Sequence, residues 1–303
     1  MNRTLLHCFD GEYPEANSHA AVPCALEIGK DKFRVYLSSR DLKNRSFASF
    51  VEVDTSGGSP LVTRVSEAPV LCPGELGAFD DSGVMPTWVM RNEEEIWMYY
   101  IGWNLGQTVT FRNSLGIAIS EDGGETFQRK FGGPILDRHR EEPHFVASAS
   151  VMDLGDHYTM VYLSCTGWKL SADGTPLFRY HLKQTDSEDG INWDRPGKIA
   201  IDYKDEDEYA ISRPSIIQID GEYHMWFSCR GEGYRIGYAK STDCYNWTRD
   251  DSSSGISPSL NEKDWDGIEV AYPNVVRSGN KIWMFYNGNR YGQTGFGVGE
   301  LTK

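Results

Sequence analysis

Short apolar runs recur along the chain, and each is followed, after a polar turn, by a second run rich in aromatic residues. The apolar runs occupy residues 18–26, 82–89, 145–152, 210–217 and 269–276. The aromatic runs occupy residues 33–36, 96–100, 158–162, 223–227 and 282–286. Apolar runs of this length, bounded by turn residues and rich in β-branched and aromatic side chains, are typical of buried strands. The pattern therefore predicts five pairs of consecutive strands.

The five strand pairs are evenly spaced. Equivalent positions are held by Pro23, Pro86, Ala149, Pro214 and Pro273, at intervals of 63, 63, 65 and 59 residues. In the second repeat two more strand patterns follow, at 115–120 and 126–129, and complete a four-stranded antiparallel unit. A repeat of this length that fills the chain is typical of radial β-architecture. We therefore predict an all-β fold, a five-bladed β-propeller with four-stranded antiparallel blades, as one domain over residues 1–303.

The last repeat lacks a pattern for its fourth strand. Residues 294–301 resemble a third strand, and the chain then ends. An apolar pattern near the N-terminus, at residues 4–9, is free to pair with it. Because an unpaired strand edge invites association with other chains, we expect this N-terminal strand to complete the last blade and close the ring.

Composition and charge exclude several classes of partner. The net charge is −14 at pH 7, whereas nucleic acids and anionic membranes both require a basic surface. No apolar run is long enough for a signal peptide or a membrane span. The six cysteines are scattered without a C-x-x-C pair, which is typical of reduced thiols rather than of disulfides or a zinc site. We expect a cytoplasmic protein with no cofactor and no metal ion.

Polar residues precede each predicted inner strand. In a propeller these positions crowd one mouth of the central channel, although they lie far apart in the sequence. They are His19; Asp80 and Asp81; Glu141, Glu142 and His144; Glu206, Glu208 and Arg213; and Asp266, Glu269 and Tyr272. Any one of these acids could simply cap a turn, but four repeats bring carboxylates to the same mouth. Cleavage of a glycosidic bond needs such a set, with one carboxylic acid as proton donor and another as nucleophile or base.

We assign Asp81 and Glu269 as the catalytic pair, with Glu208 or Glu142 as a third acid that raises the pKa of the donor. Side chains predicted to bind substrate oxygens or sugar faces are His19, Asp80, Arg213, Tyr272, Trp88, Trp103 and Trp168. Arg213 lies within an apolar strand, and a buried charge needs a partner. We expect that partner to be a channel carboxylate such as Glu208 or Glu269.

Four segments, at 79–86, 208–214, 234–238 and 286–292, resemble uncharacterised glycosidase-like proteins that are often encoded among surface-polysaccharide genes. Over its whole length the blade pattern resembles the five-bladed glycoside hydrolase superfamily of arabinanases, β-xylosidases, invertases, levansucrases and mannoside phosphorylases. The resemblance implies a hydrolase-like enzyme that acts on a saccharide or glycoside in cell-surface saccharide metabolism.

The resemblance also implies an Asp base or nucleophile in the first blade, an Asp that modulates pKa in the second or third, and a Glu acid further round. The first inner strand here begins with Ser18 and His19 and offers no Asp. Phosphorolysis, glycosyl transfer and saccharide binding without catalysis therefore stay open beside hydrolysis. A phosphorylase would need an anion pocket, with Arg112, Arg138, Arg140 and Arg213 as candidates.

Overall fold

The computed structural model describes residues 2–301, and within them the chain is built almost entirely of strands. Strand β1 is Arg3–His7. The first group of four follows as β2 (Ser18–Gly29), β3 (Lys32–Arg40), β4 (Ser46–Asp54) and β5 (Leu61–Val65). The second is β6 (Gly83–Asn92), β7 (Glu95–Leu105), β8 (Phe111–Ser120) and β9 (Gln128–Arg129).

Two further groups of four and a group of three complete the chain. The third group is β10 (Val146–Asp153), β11 (Tyr158–Leu170), β12 (Pro176–Ser187) and β13 (Lys198–Ile201). The fourth is β14 (Ala210–Ile219), β15 (Glu222–Arg230), β16 (Tyr234–Ser241) and β17 (Thr248–Arg249). The last is β18 (Ala271–Ser278), β19 (Lys281–Asn287) and β20 (Phe296–Leu301). Two single helical turns, Asp251–Ser253 and Asn289–Gly292, lie in connections, and within residues 2–301 no helix is long and apolar enough to cross a membrane.

Consecutive strands of each group pair antiparallel, and β1 pairs antiparallel with β20. The last group thereby becomes a four-stranded sheet in the order β1-β20-β19-β18. Single parallel bridges, Ser46 with Gly83 and Tyr180 with Ala210, join the first group to the second and the third to the fourth. The prediction of an all-β fold built from antiparallel sheets is confirmed.

The first strand of each group, which we call the inner strand, lies against the inner strands of its neighbours. The contacts run from β2 through β6, β10 and β14 to β18, and from β18 back to β2. An inner strand pairs through only one of its edges, so backbone N–H groups along the other need side-chain acceptors. Small polar side chains of a neighbouring inner strand supply these acceptors. The side-chain oxygens of Thr87, Ser150, Ser215 and Asn274 accept hydrogen bonds from the backbone N–H groups of Ala149, Ile216, Val275 and Ala25, respectively.

Aromatic side chains of the second strands fill the space between groups. Tyr36, Tyr99, Tyr162, Phe227 and Phe285 are all fully buried. Large aromatic side chains remove much apolar surface from water with few rotatable bonds, so they form a stiff core. This core therefore holds the inner strands in fixed positions. The candidate site lies at the end of the molecule where the inner strands begin.

Candidate functional site

The site forms at the end of the molecule where the inner strands begin, which we call the entry end. Antiparallel pairing places the C-terminal part of each second strand opposite the start of its inner strand. The facing pairs include Ser18 with Arg40, Gly83 with Trp103, Ala210 with Arg230 and Ala271 with Asn287. Side chains from the beginnings of inner strands and from the ends of second strands therefore meet here.

A cavity of about 550 Å³ lies at the entry end, and all five groups contribute to its wall. We call it the tyrosine cavity after Tyr180, Tyr234, Tyr272 and Tyr291, which line it. Trp103, one of the aromatic residues assigned from the sequence to sugar binding, lines it as well. Flat aromatic faces surrounding a volume of this size suit a small organic ligand such as a sugar ring.

The backbone of the inner strands is bent where it passes the tyrosine cavity. Each inner strand shows a register shift at this point, and Val22, Ser148, Arg213 and Tyr272 have φ values of 49°, 37°, 53° and 55°. A bulge re-aims the side chains around it, and Val22, Ser148 and Tyr272 do line the cavity. Left-handed backbone at a residue other than glycine costs about 1–3 kcal/mol and is concentrated at functional sites.

Three tyrosines form a continuous row along the cavity wall. The ring of Tyr272 lies 5.3 Å from that of Tyr234 and 5.1 Å from that of Tyr291. The guanidinium of Arg230 lies 4.9 Å from the centre of the Tyr234 ring, and that of Arg40 lies 5.6 Å from the Tyr291 ring. We call Tyr234, Tyr272 and Tyr291 the tyrosine row. Burial raises the pKa of Tyr272 and of Tyr291, so both hydroxyls stay neutral at pH 7.

Glu269 is the carboxylate of the tyrosine cavity. Among residues 2–301 it is the one acidic side chain in the lining. Its Oε1 accepts a hydrogen bond from the backbone N–H of Tyr234 at 3.3 Å, and its own N–H donates to Asn289 Oδ1 at 3.0 Å. Glu269 is half-buried. It is therefore held in place by two neighbouring segments and still faces the cavity.

Asp81 lies in a second cavity of about 740 Å³, which shares Leu105, Asn113 and Phe145 with the tyrosine cavity. Its carboxylate accepts hydrogen bonds from the N–H of Gly77 at 3.0 Å, from Ser82 Oγ at 2.9 Å and from Asn104 Nδ2 at 2.7 Å. Burial raises the pKa of Asp81, but these hydrogen bonds outweigh it and hold the pKa below its usual value. The predicted pair Asp81 and Glu269 thus lies in two adjoining cavities.

Two further side chains of functional interest line the second cavity, one predicted from the sequence and one not. Trp168, predicted to bind sugar, lines it and packs against Phe111 and Phe145 at ring distances of 5.6 and 5.7 Å. Asp137, which the sequence analysis missed, lines it too and accepts a hydrogen bond from Ser114 Oγ at 2.8 Å. The second cavity therefore holds two carboxylates beside an aromatic wall.

Asp80, Glu142 and Glu208 lie at the entry end but line neither cavity. All three are buried, and each forms an ion pair with an arginine of its own group. The pairs are Asp80 with Arg129 at 2.7 Å, Glu142 with Arg195 at 2.8 Å and Glu208 with Arg249 at 2.7 Å. In the last group Asp266 pairs with Arg3 of β1 at 3.1 Å. We call these four pairs the carboxylate–arginine clasps.

A tyrosine of the second strand joins three of the four clasps. The hydroxyl of Tyr100 donates to Asp80, that of Tyr162 to Glu142 and that of Tyr286 to Asp266. Buried charges are tolerated where they are paired and hydrogen-bonded. The repeated arrangement connects the start of an inner strand to the outermost part of the same group. These contacts favour a structural role for Asp80, Glu142 and Glu208 over a direct role in chemistry.

Arg213 is 1% exposed, and within residues 2–301 it forms no ion pair with a carboxylate. Its guanidinium donates to the carbonyl oxygen and Oγ1 of Thr87, and to the carbonyl oxygens of Val22 and Pro23. The expected pairing with Glu208 or Glu269 is wrong, because the bulged inner strands turn unpaired carbonyl groups toward this side chain. Arg213 thus connects β14 to β2 and β6, and it lines neither cavity.

The remaining predicted binders have separate surroundings. Trp88 is partly buried against the main hydrophobic cluster and lines neither cavity. His19 also lines neither; its Nδ1 lies 2.9 Å from Ser18 Oγ. Burial and the positive charge of Arg40 lower the pKa of His19 to about 4, so its ring is neutral at pH 7. His19 can orient a neighbour but brings no charge to the entry end.

Three arginines of the tyrosine cavity were not predicted from the sequence: Arg40, Arg230 and Arg290. A signal for the first two was present. Arg40 and Arg230 each end a second strand, and antiparallel pairing places that position opposite the start of an inner strand. Arg290 lies in the turn after β19 and carries no such signal.

One group of side chains has the spacing of metal ligands. Atoms of Glu208, Cys229 and Asp251 lie within 4.8 Å of one another. The guanidinium of Arg249 already lies against both carboxylates, 2.7 Å from Glu208 and 2.8 Å from Asp251. Burial raises the pKa of Cys229 to about 12, so its thiol stays protonated. Arginine supplies the positive charge here, and these residues do not fit a metal centre.

Comparison with known proteins places the chain among relatives. No family model matches it. Two proteins of Mycobacterium tuberculosis, uncharacterized protein MT1551 of strain CDC 1551 / Oshkosh and uncharacterized protein Rv1502 of strain ATCC 25618 / H37Rv, are each 36% identical to it over 291 residues. The alignment covers 96% of this chain and 95% of theirs. The chain therefore belongs to this family.

Solved structures show which fold this chain shares with other proteins. The BT0996 RGII complex superposes with a TM-score of 0.72 at 18% identity, covering 99% of this chain and 92% of that protein. A thermostable family-43 glycoside hydrolase gives 0.69 at 14% identity, covering 93% and 88%. RS223-β-xylosidase gives 0.62 at 15% identity, covering 96% and 94%. The resemblance to propeller glycoside hydrolases is confirmed at the level of the fold.

Proposed function

We propose that this protein is a carbohydrate-active enzyme that acts on a glycosidic bond. The observation that carries the proposal is Glu269, a half-buried carboxylate beside the tyrosine row in a fold shared with glycoside hydrolases. BT0996, a protein of the same fold, forms a complex with RGII, which supports a saccharide ligand for this protein. The resemblance to proteins encoded among surface-polysaccharide genes supports a substrate from cell-surface saccharide metabolism.

The architecture we propose is a single five-bladed propeller over residues 1–303, with β1 closing the ring. Three observations support it: five antiparallel groups, inner-strand contacts that return from β18 to β2, and the pairing of β1 with β20. In such a ring the entry end is one mouth of the central channel. Asp81 and Glu269, far apart in sequence, would then face one substrate.

In this proposal Glu269 protonates the leaving oxygen, and the carboxylate of Asp81 activates the attacking water. The depressed pKa of Asp81 keeps it ionised at pH 7, as a base requires. Glu208 and Glu142, assigned from the sequence as the third acid, are paired with arginines outside both cavities and have no direct part in this step. The tyrosine row and Trp103 present their faces to the sugar ring.

The test is activity on a panel of aryl glycosides and cell-surface oligosaccharides, followed by release of aryl group or reducing ends. We expect Glu269→Gln and Asp81→Asn to lower kcat by about 100-fold or more, because a positioned acid or base contributes 10²–10⁴-fold. The melting temperature of Glu269→Gln should match that of the unaltered protein, whereas that of Asp81→Asn should fall slightly, because the charged carboxylate accepts three hydrogen bonds. Glu206→Gln is the matched control, since Glu206 is exposed in the loop before β14. Full activity of Glu269→Gln would reject the assignment.

A second candidate function is saccharide binding without catalysis. It is favoured by one observation, that Asp81 and Glu269 line different cavities. It predicts saccharide affinity measurable by calorimetry, no product from any substrate of the panel, and unchanged affinity in Asp81→Asn. Turnover that depends on Glu269 would exclude it.

A further inference from the structure

The tyrosine cavity carries a charge opposite to that of the protein. Its charged lining residues are Arg40, Arg230 and Arg290 against Glu269 alone, a formal charge of +2. The chain as a whole has a net charge of −14. A concave site whose sign opposes that of the surrounding surface concentrates ligands of the opposite charge. The local excess of arginine therefore points to a negatively charged ligand.

None of the three arginines forms an ion pair within residues 2–301, although Nη1 of Arg40 donates a hydrogen bond to Asn44 Oδ1 at 2.5 Å. In the same part of the chain, the Nε of Arg40 and that of Arg230 are each buried without a hydrogen-bond partner. The guanidinium of Arg230 lies 5.7 Å from the ring of Tyr209 and 4.9 Å from that of Tyr234. Stacking on aromatic faces holds a guanidinium plane in position while its edge stays free to donate.

The clasps show the alternative arrangement at the entry end, in which an arginine is paired with a carboxylate. Arg129, Arg195 and Arg249 are each neutralised by a buried carboxylate of their own group. A partly buried guanidinium without such a partner loses hydration without gaining a counter-charge. An oxyanion from outside the chain would restore that counter-charge.

A buried hydroxyl without a partner lies in the same wall. Ser212 lines the tyrosine cavity, is 3% exposed, and its Oγ has no hydrogen-bond partner within residues 2–301. It is on β14, two residues beyond Ala210, which faces Arg230 across the strand pair. The unpartnered Ser212 hydroxyl and the unpartnered Nε of Arg230 therefore belong to adjacent strands of one group.

We propose that the tyrosine cavity binds an oxyanion through Arg230, with Ser212 as a second donor and Arg40 at the far end of the tyrosine row. The inference rests on the proposed function for the identity of the ligand, a saccharide that carries a carboxylate or a phosphate ester. A guanidinium gives paired N–H donors to either group. Because Tyr234 contacts both Arg230 and Glu269, the anion lies beside the proposed proton donor.

The shared chemistry is the oxyanion, and it has three sources that binding measurements separate. The probes are glucuronate against glucose, glucose 6-phosphate against glucose, and inorganic phosphate against chloride at equal ionic strength. Glucuronate binding alone assigns a sugar acid, glucose 6-phosphate alone assigns a phosphorylated sugar, and inorganic phosphate alone assigns a free phosphate co-substrate. Each result supports an oxyanion site, and no preference for any anionic probe over its neutral or chloride counterpart overturns it.

The variants are Arg230→Gln and, as a second route in case that protein does not fold, Arg40→Gln. Arg277→Gln is the control, because it removes the same charge from an exposed residue near the opposite end of β18. We expect calorimetry to show anion affinity weakened about tenfold or more by Arg230→Gln, the loss of one charge-assisted interaction, and unchanged by Arg277→Gln. Equal weakening in both proteins would mean that overall charge alone is responsible and would overturn the proposal.

Failure of this inference is distinguishable from failure of the proposed function. Anion binding that requires Arg230, without turnover of any glycoside, would retain the oxyanion site and remove the enzyme. Turnover of neutral glycosides that requires Glu269, without any preference for anionic probes, would retain the enzyme and remove the oxyanion site.

Discussion

Replacing Glu142 with glutamine should lower the melting temperature and leave the chemistry of the cavities intact. The Glu142 carboxylate is buried and accepts hydrogen bonds from Tyr162 at 2.9 Å, Ser164 at 2.8 Å and Arg195 at 2.8 Å, with Lys183 at 3.3 Å. The amide is uncharged, so the side chain of Arg195, only 12% exposed, would lose its counter-ion. Breaking a buried ion pair from one side costs about 3–5 kcal/mol.

That cost can be converted into a shift in melting temperature. A chain of 303 residues has an unfolding entropy of about 0.6 kcal/mol/K, from roughly 2.1 cal/mol/K per residue. The melting temperature should therefore fall by about 5–8 °C, measured by scanning calorimetry at pH 7. The matched control is Glu141→Gln, since the side chain of Glu141 is 52% exposed and its pair with Arg140 is long, at 3.6 Å. We expect less than about 1.5 °C there, because exposed pairs contribute at most about 1 kcal/mol.

The effect of Glu142 should also depend on pH. Burial raises the pKa of this carboxyl, but Arg195, Ser164 and Tyr162 outweigh it, so the folded pKa lies below the ordinary value. A depressed folded pKa stabilises the protein fully above the unfolded pKa, and the effect disappears as pH falls through the folded pKa. The difference between the unaltered protein and Glu142→Gln should be full at pH 7 and shrink below the unfolded pKa of 4.5. Equal melting temperatures of Glu142→Gln and Glu141→Gln would refute the structural role of Glu142. Loss of activity in Glu142→Gln with an unchanged melting temperature would refute it as well.

Two further predictions concern contacts between segments that are far apart in the sequence. Asn287→Ala should lower the free energy of unfolding, measured by urea denaturation, by about 3 kcal/mol. The reason is that backbone groups of Ala20, Val22 and Gly295 lose buried hydrogen bonds worth roughly 1–3 kcal/mol each. A loss below about 1 kcal/mol would contradict this prediction. Deleting residues 1–7 removes β1 and exposes the edge of β20 but keeps the core residue Phe9. We expect self-association on size-exclusion chromatography and a lower melting temperature, and a fully stable monomer would reject ring closure by β1.

The strand pattern could be predicted from the sequence because it is local. A buried strand of five to ten residues needs apolar side chains over its own length, and turns need their own polar residues, so each repeat contains its own evidence. The N-terminal strand was found by the same reasoning, since the last repeat visibly lacked a fourth strand. Glu269, Tyr272 and Trp103 do line the tyrosine cavity, and Asp81 and Trp168 line the cavity beside it.

Whether each of the other acids is paired with an arginine or faces a cavity could not be predicted in this way. Asp80, Glu142 and Glu208 stand in the same sequence context as Asp81 and Glu269, directly before an inner strand. Their arginine partners come 49, 53 and 41 residues later. Whether a carboxylate turns outward to a cavity or inward to such a partner depends on distances of a few ångströms between distant segments.

The sequence by itself determined the architecture of the repeats, the direction of the strands and the end at which polar side chains collect. These properties follow from apolar periodicity and antiparallel pairing, which act between neighbouring segments. Only the tertiary structure decided which charges at that end are free. Charges in low-dielectric surroundings are either paired or costly. The structure pairs four carboxylates with arginines and hydrogen-bonds Arg213 to carbonyl groups, and it leaves Glu269, Arg40 and Arg230 facing the tyrosine cavity.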